Sequence, residues 1–86
     1  MEQLPDAELV TRCQNELPEE LTSYRELLLR YEGLVFNTCN KLLGSRQDAE
    51  EITQDSLVQV YHKIHQFEGR AAFKTWLYKI VRNYCR

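Results

Sequence analysis

The side chains best equipped for chemistry lie in the last third of the chain, and the chemistry is that of binding. Between His62 and Arg86 six bases (Lys63, Arg70, Lys74, Lys79, Arg82, Arg86) stand against one acid, Glu68, a net of +5, with Phe67, Phe73, Trp76, Tyr78 and Tyr84 threaded among them. Residues 1–61 hold five bases and twelve acids, a net of −7, so the chain's −2 conceals two opposed regions. Cations spaced among flat rings suit a polyanion whose units stack. Lys74, Tyr78, Lys79, Arg82, Asn83 and Arg86 carry that pattern. Just upstream, Gln66, Glu68, Gly69 and Arg70 offer hydrogen-bonding groups and a flexible backbone in a turn. A second group, Glu50, Glu51, Gln54 and Asp55, offers carboxylates and an amide to a different partner.

Other chemistries find less support. His62, His65 and Glu68 recur at three-residue intervals, but zinc needs three or four ligands in tetrahedral array, and no cysteine is placed by the sequence to complete one. Polar surface histidines are the plainer reading. Cys13, Cys39 and Cys85 are an odd number without a C-x-x-C pair, which fits a reducing cytoplasm better than a disulfide framework. Cys13 and Cys39 read as small core residues. There is no glycine-rich phosphate loop and no nucleophile elbow, so the sequence implies neither an enzyme nor a cofactor.

These groups must be positioned by helices. Eighty-six residues with 43% hydrophobic and 28% charged side chains predict one small globular domain. Asp6 is the expected N-cap of a first helix whose inner face is Leu9, Val10 and Cys13, and Leu17-Pro18 should end it. From about Tyr24 the stripe Leu27, Leu28, Tyr31, Leu34, Val35, Thr38, Cys39 and Leu42 predicts a second helix, stopped by Gly44. Ser45 and Asp48 resemble a capping box opening a third, with the inner stripe Ala49, Ile52, Ser56, Val60 and Ile64, widened by Leu57 and Tyr61. After a turn over Gln66–Arg70, the residues Phe73, Trp76, Leu77, Ile80, Val81 and Tyr84 predict a fourth helix, with Trp76 read as core and Phe67 as the anchor of the turn. The expected fold is all-α, a bundle of three to four helices. The absence of a basic and apolar leader or a long apolar run predicts a cytoplasmic chain without direct membrane insertion. The helical pattern running into Arg86 predicts a fragment of a longer protein.

Asp48-Ala49-Glu50-Glu51-Ile52-Thr53-Gln54-Asp55, followed by the block from Phe67-Glu68-Gly69-Arg70 through Trp76-Leu77-Tyr78-Lys79 to Arg82-Asn83, closely resembles conserved region 2 of bacterial sigma factors, most of all the extracytoplasmic-function group. The likeness extends back through Tyr31-Glu32-Gly33-Leu34-Val35-Phe36 and covers roughly residues 24–86. It implies that the whole of residues 1–86 is a region 2 domain, with a −35-binding domain following in the longer chain. By the same resemblance, Asp48, Glu51, Gln54, Asp55 and Leu57 would dock on the β′ clamp helices of core RNA polymerase. Gln66 to Ala72 would form a pocket for one flipped base. Lys74, Tyr78, Lys79, Arg82, Asn83 and Arg86 would help melt and hold the single-stranded non-template −10 region of promoter DNA. The group is typically silenced by an anti-sigma factor. The chain departs from the family in Asn15–Ser23, longer and more acidic than the usual first connection and a place where such a regulator could dock. The alternative reading is a helical interaction module whose basic helix meets an acidic partner or an anionic membrane surface.

Overall fold

Prolines set both limits of the first helix in the computed structural model, which describes residues 4–85. Arg86 lies outside the described residues. Helix α1 (Asp6–Glu16) starts directly after Pro5, whose carbonyl accepts from the amides of Glu8 and Leu9, each at 3.1 Å. Leu17 turns extended at ψ 143° because Pro18 follows. Asp6 is not the N-cap that the pattern predicts. It is the first helical residue, and its carboxylate accepts from Arg30 Nη1 at 3.0 Å and from the Tyr31 hydroxyl. Charge-assisted partners from the next helix compete better for it than a backbone amide does.

The acidic connection is largely consumed by the fold. Glu16 accepts from the amide and hydroxyl of Ser23, and Glu20 Oε1 accepts from the amides of Leu21 and Thr22 and from the Thr22 hydroxyl at 2.6 Å. These bonds satisfy free amides at the N-terminus of α2 (Thr22–Leu43), whose N-cap residue Leu21 offers no side-chain acceptor. They also hold the Glu20 carboxyl below its usual range, the Thr22 side chain first.

In α2 the buried stripe is narrower than the apolar pattern. Leu27, Tyr31, Val35 and Cys39 are buried, whereas Leu34 and Leu42 remain exposed. Gly44 ends the helix at φ 67°, the left-handed conformation that suits glycine. Ser45 then caps α3 (Arg46–Lys63), its Oγ accepting from the Asp48 amide at 3.3 Å. Ala49, Thr53, Ser56 and Val60 form the buried face of α3, with Ile52 only half-buried. Ile64 is fully buried but sits beyond α3, in a 3₁₀ turn over Ile64–Gln66. Helix α4 (Phe73–Tyr84) buries Phe73, Leu77, Ile80 and Val81. The second helix packs on α1 along one side and on α3 along the other, and α4 lies chiefly against α3. The described residues form an all-helical bundle. None of its helices is long and apolar enough to cross a membrane.

Candidate nucleic-acid interface and acidic face

The loop over 67–72 is held at its root from both sides. Gln14, near the end of α1, donates its side-chain amide to the carbonyls of Ile64 at 2.8 Å and Phe67 at 2.9 Å. The His65 ring lies 3.1 Å from the Gln14 carbonyl. On the other side the Phe67 ring packs against Phe73 and Trp76, with centroids 5.9 and 5.3 Å away. Phe67 therefore anchors the loop to α4, and Trp76 is half-buried as part of the same cluster. Beyond this root, Glu68, Gly69 and Arg70 are exposed, with Arg70 and Glu68 paired at 3.5 Å. Gly69 is required by its φ of 77°, since a Cβ there would meet nothing within 4 Å. Gln66, in the 3₁₀ turn, is also exposed.

Helical periodicity divides the predicted binding residues of α4 between two flanks. Trp76, Lys79 and Asn83, at spacings of three and four, share the flank that meets the loop through Phe67. Lys79, Arg82 and Asn83 are all exposed, and Arg82, three positions after Lys79 and four after Tyr78, lies between the two flanks on the solvent side of α4. Lys74 and Tyr78 lie on the opposite flank, where Tyr78 is half-buried near Tyr31 of α2 and Lys74 Nζ sits 6.0 Å from its ring. Gln66, Glu68, Gly69 and Arg70 thus share the exposed turn and loop, Lys79 and Asn83 the flank of α4 that carries Trp76, and Lys74 and Tyr78 the other flank, with Arg82 between the two.

The acidic group occupies the outer side of α3. Asp48, Glu51, Gln54 and Asp55 are exposed, and Val58, 53% exposed, continues their face. Leu57 lies beside that face. It lines a shallow groove of about 380 Å³ between α2 and α3 together with Glu32, Gly33, Phe36, Glu50, Thr53 and Gln54, and Gln54 belongs to both face and groove. The Leu57 carbonyl accepts from the Tyr24 hydroxyl at 2.7 Å, and burial pushes that hydroxyl up to about 12. Thr53 Oγ1 is buried at the groove without a partner. Sequence reasoning missed Val58, Phe36 and Gly33 as parts of this surface. The groove arises from two helices meeting, and no local pattern announces it. Elsewhere the His62 ring contacts Tyr61, and among the described residues no three metal-ligating side chains converge.

Comparison with known proteins agrees with this architecture. The Sigma-70 region 2 family model matches residues 27–86. An ECF RNA polymerase sigma-E factor of Haemophilus influenzae is 35% identical over 82 residues, which are 95% of this chain and 41% of the relative. The ECF RNA polymerase sigma factor SigW of Bacillus subtilis is 30% identical over 61 residues, 71% of this chain and 33% of the relative. The chain therefore spans less than half the length of these relatives. An NMR structure of an engineered region 2 of sigmaE in complex with GTAAAA superimposes with a TM-score of 0.85 at 28% identity, covering 99% of this chain and 85% of that one. With a family match over most of its length and a shared fold, the chain belongs to the Sigma-70 region 2 family, in the extracytoplasmic-function group of sigma factors.

Proposed function

We propose that this domain joins core RNA polymerase through the outer side of α3 and the α2–α3 groove, and holds the single-stranded −10 region of a promoter on the loop and the Lys79–Asn83 flank of α4. One observation carries the reading: the scaffold that exposes the loop residues and Lys79, Arg82 and Asn83 matches a region 2 solved in complex with GTAAAA. Arg82 and Lys79 supply cations for phosphates, Asn83 and Arg70 can reach base edges, and the half-buried Trp76 supplies aromatic surface on the flank of Lys79 and Asn83. Stacking on an aromatic side chain is worth roughly 1–3 kcal/mol per base, comparable to the cost of unstacking one. Holding an already extruded base therefore shifts the equilibrium towards an open duplex without covalent chemistry. On α3, Glu51, Gln54 and Asp55 suit arginines and amides of a helical partner, and Phe36 and Leu57 supply apolar contact in the groove. The domain works in the cytoplasm, ahead of a −35-binding domain in a longer chain, and an anti-sigma factor would act by covering either surface.

The test is reconstitution with core polymerase and a fluorescent GTAAAA oligonucleotide. Gln54→Ala with Asp55→Arg should abolish association with core polymerase. Lys79→Ala with Arg82→Ala should leave that association intact and weaken oligonucleotide binding at least tenfold. Unchanged oligonucleotide affinity in the second variant would remove the DNA role from α4, and retained polymerase binding in the first would remove the docking role from α3.

A further inference from the structure

Cys85, at the end of α4, and Cys39, one turn before the end of α2, bring their sulfurs to 3.6 Å, although they stand 46 positions apart in the chain. Both are free thiols. Cys39 is fully buried, whereas Cys85 is partly open to solvent. The third cysteine, Cys13, is buried in α1 near Glu16 and Tyr24 and takes no part in this contact. We infer that Cys39 and Cys85 form a dithiol modification site, which a small disulfide of the glutathione class converts into an intramolecular cystine that fastens the end of α4 to α2.

The geometry requires little movement. A disulfide bond is about 2.05 Å long, so the sulfurs must approach by roughly 1.5 Å. Cys85 can supply that motion. It lies just past the last turn of α4, where its amide is shared between the carbonyls of Val81 at 3.1 Å and Arg82 at 3.2 Å. Cys39 is held inside a long helix and stays in place. The difference in exposure sets the order of events. The Cys85 thiol loses its proton to solvent, and its sulfur attacks one sulfur of the oxidant. The first glutathione leaves as a thiolate and is protonated. The Cys39 thiol then gives up its proton, and its sulfur attacks Cys85 Sγ, breaking the mixed disulfide and releasing the second glutathione. Two protein thiols lose two electrons, and one glutathione disulfide becomes two glutathione thiols. Burial pushes the Cys85 thiol up to about 11, so thiolate is scarce at neutral pH and the site reacts slowly there.

The bridge joins two helices that otherwise touch sparingly. It would tie down the element that carries Lys79, Arg82 and Asn83 without using any of them. The test incubates the full chain with excess glutathione disulfide at pH 8.5, alkylates the remaining thiols and maps the peptides by mass spectrometry. A monomer with a Cys39–Cys85 linked peptide and an alkylated Cys13, reversed by dithiothreitol, is expected. Cys85→Ser should remove the link, and Cys13→Ala should leave its yield unchanged. The oxidised chain should melt roughly 10 °C or more above the reduced one, because the bridge closes a long loop. Arrest at a mixed disulfide on Cys85, a dimer linked through Cys85, a bridge that includes Cys13, or an oxidised chain that melts no higher than the reduced one would each overturn the inference.

Discussion

Gln14 exerts its influence at a distance from its own helix. Its amide group supplies two N–H donors, and both are used on carbonyls at the root of the loop, at 2.8 and 2.9 Å. Gln14→Ala leaves both carbonyls without that partner in a half-buried setting, which should cost about 1 kcal/mol or somewhat more. Gln14→Glu should cost more at neutral pH than Gln14→Ala, since it places an acceptor-only group against two acceptors. Urea denaturation checks the order. Under the proposed function both variants should also loosen the oligonucleotide grip while leaving polymerase association alone. Nothing near Gln14 in the chain marks this role, for its partners lie 50 and 53 positions away. Asp6 was misread for the same reason: an acid after Pro5 is a plausible cap, and only the fold brings Arg30 and Tyr31 to it. Gly44 and Ser45 were legible because their partners are local.

At the scale of elements, the groove between α2 and α3 depends on a residue that weakens its own helix. Gly33 lies in the middle of α2, and a Cβ built on it meets nothing within 4 Å. Glycine in a helix interior is worse than alanine by about 0.5–1 kcal/mol, so Gly33→Ala should stabilise the fold by that amount. The same methyl group would protrude into the groove lined by Phe36, Gln54 and Leu57. The variant should therefore melt higher yet bind core polymerase more weakly, a pairing that thermal denaturation and a pull-down measure side by side. A gain in stability with undiminished polymerase binding would take the groove out of the docking surface. The four helices themselves could be read from the apolar spacing, because each buries one stripe. The 3₁₀ turn could not. Ile64 continues the α3 pattern by spacing and is buried as that pattern requires, but the backbone tightens there to aim the chain at the loop.

Across the whole molecule, two opposed charge regions share a chain of net charge −2, and their separation sets how strongly the domain can hold DNA unaided. Among the described residues the loop and the solvent side of α4 near it offer few cations: Lys79, Arg82, and an Arg70 partly neutralised by Glu68. Single-stranded binding loses about 0.7 logarithmic units of affinity per phosphate contact for each tenfold rise in salt. With roughly three contacts the slope should be near −2, shallow for a nucleic-acid binder. Acids elsewhere on the surface repel the strand and lower its affinity at every salt concentration within screening range. The isolated domain is thus expected to bind the −10 strand weakly and to rely on polymerase for the remaining affinity. Anisotropy titrations of the GTAAAA oligonucleotide between 50 and 300 mM salt test this. Lys79→Ala should flatten the slope by about 0.7. Glu51→Ala with Asp55→Ala, on the outer side of α3, should raise affinity most at low salt and so steepen the measured slope slightly, because the repulsion it removes is itself screened by salt. If the α3 variant lost affinity instead, the carboxylates would belong to the DNA surface, and the division between an acidic face for polymerase and a cationic face for promoter would fail.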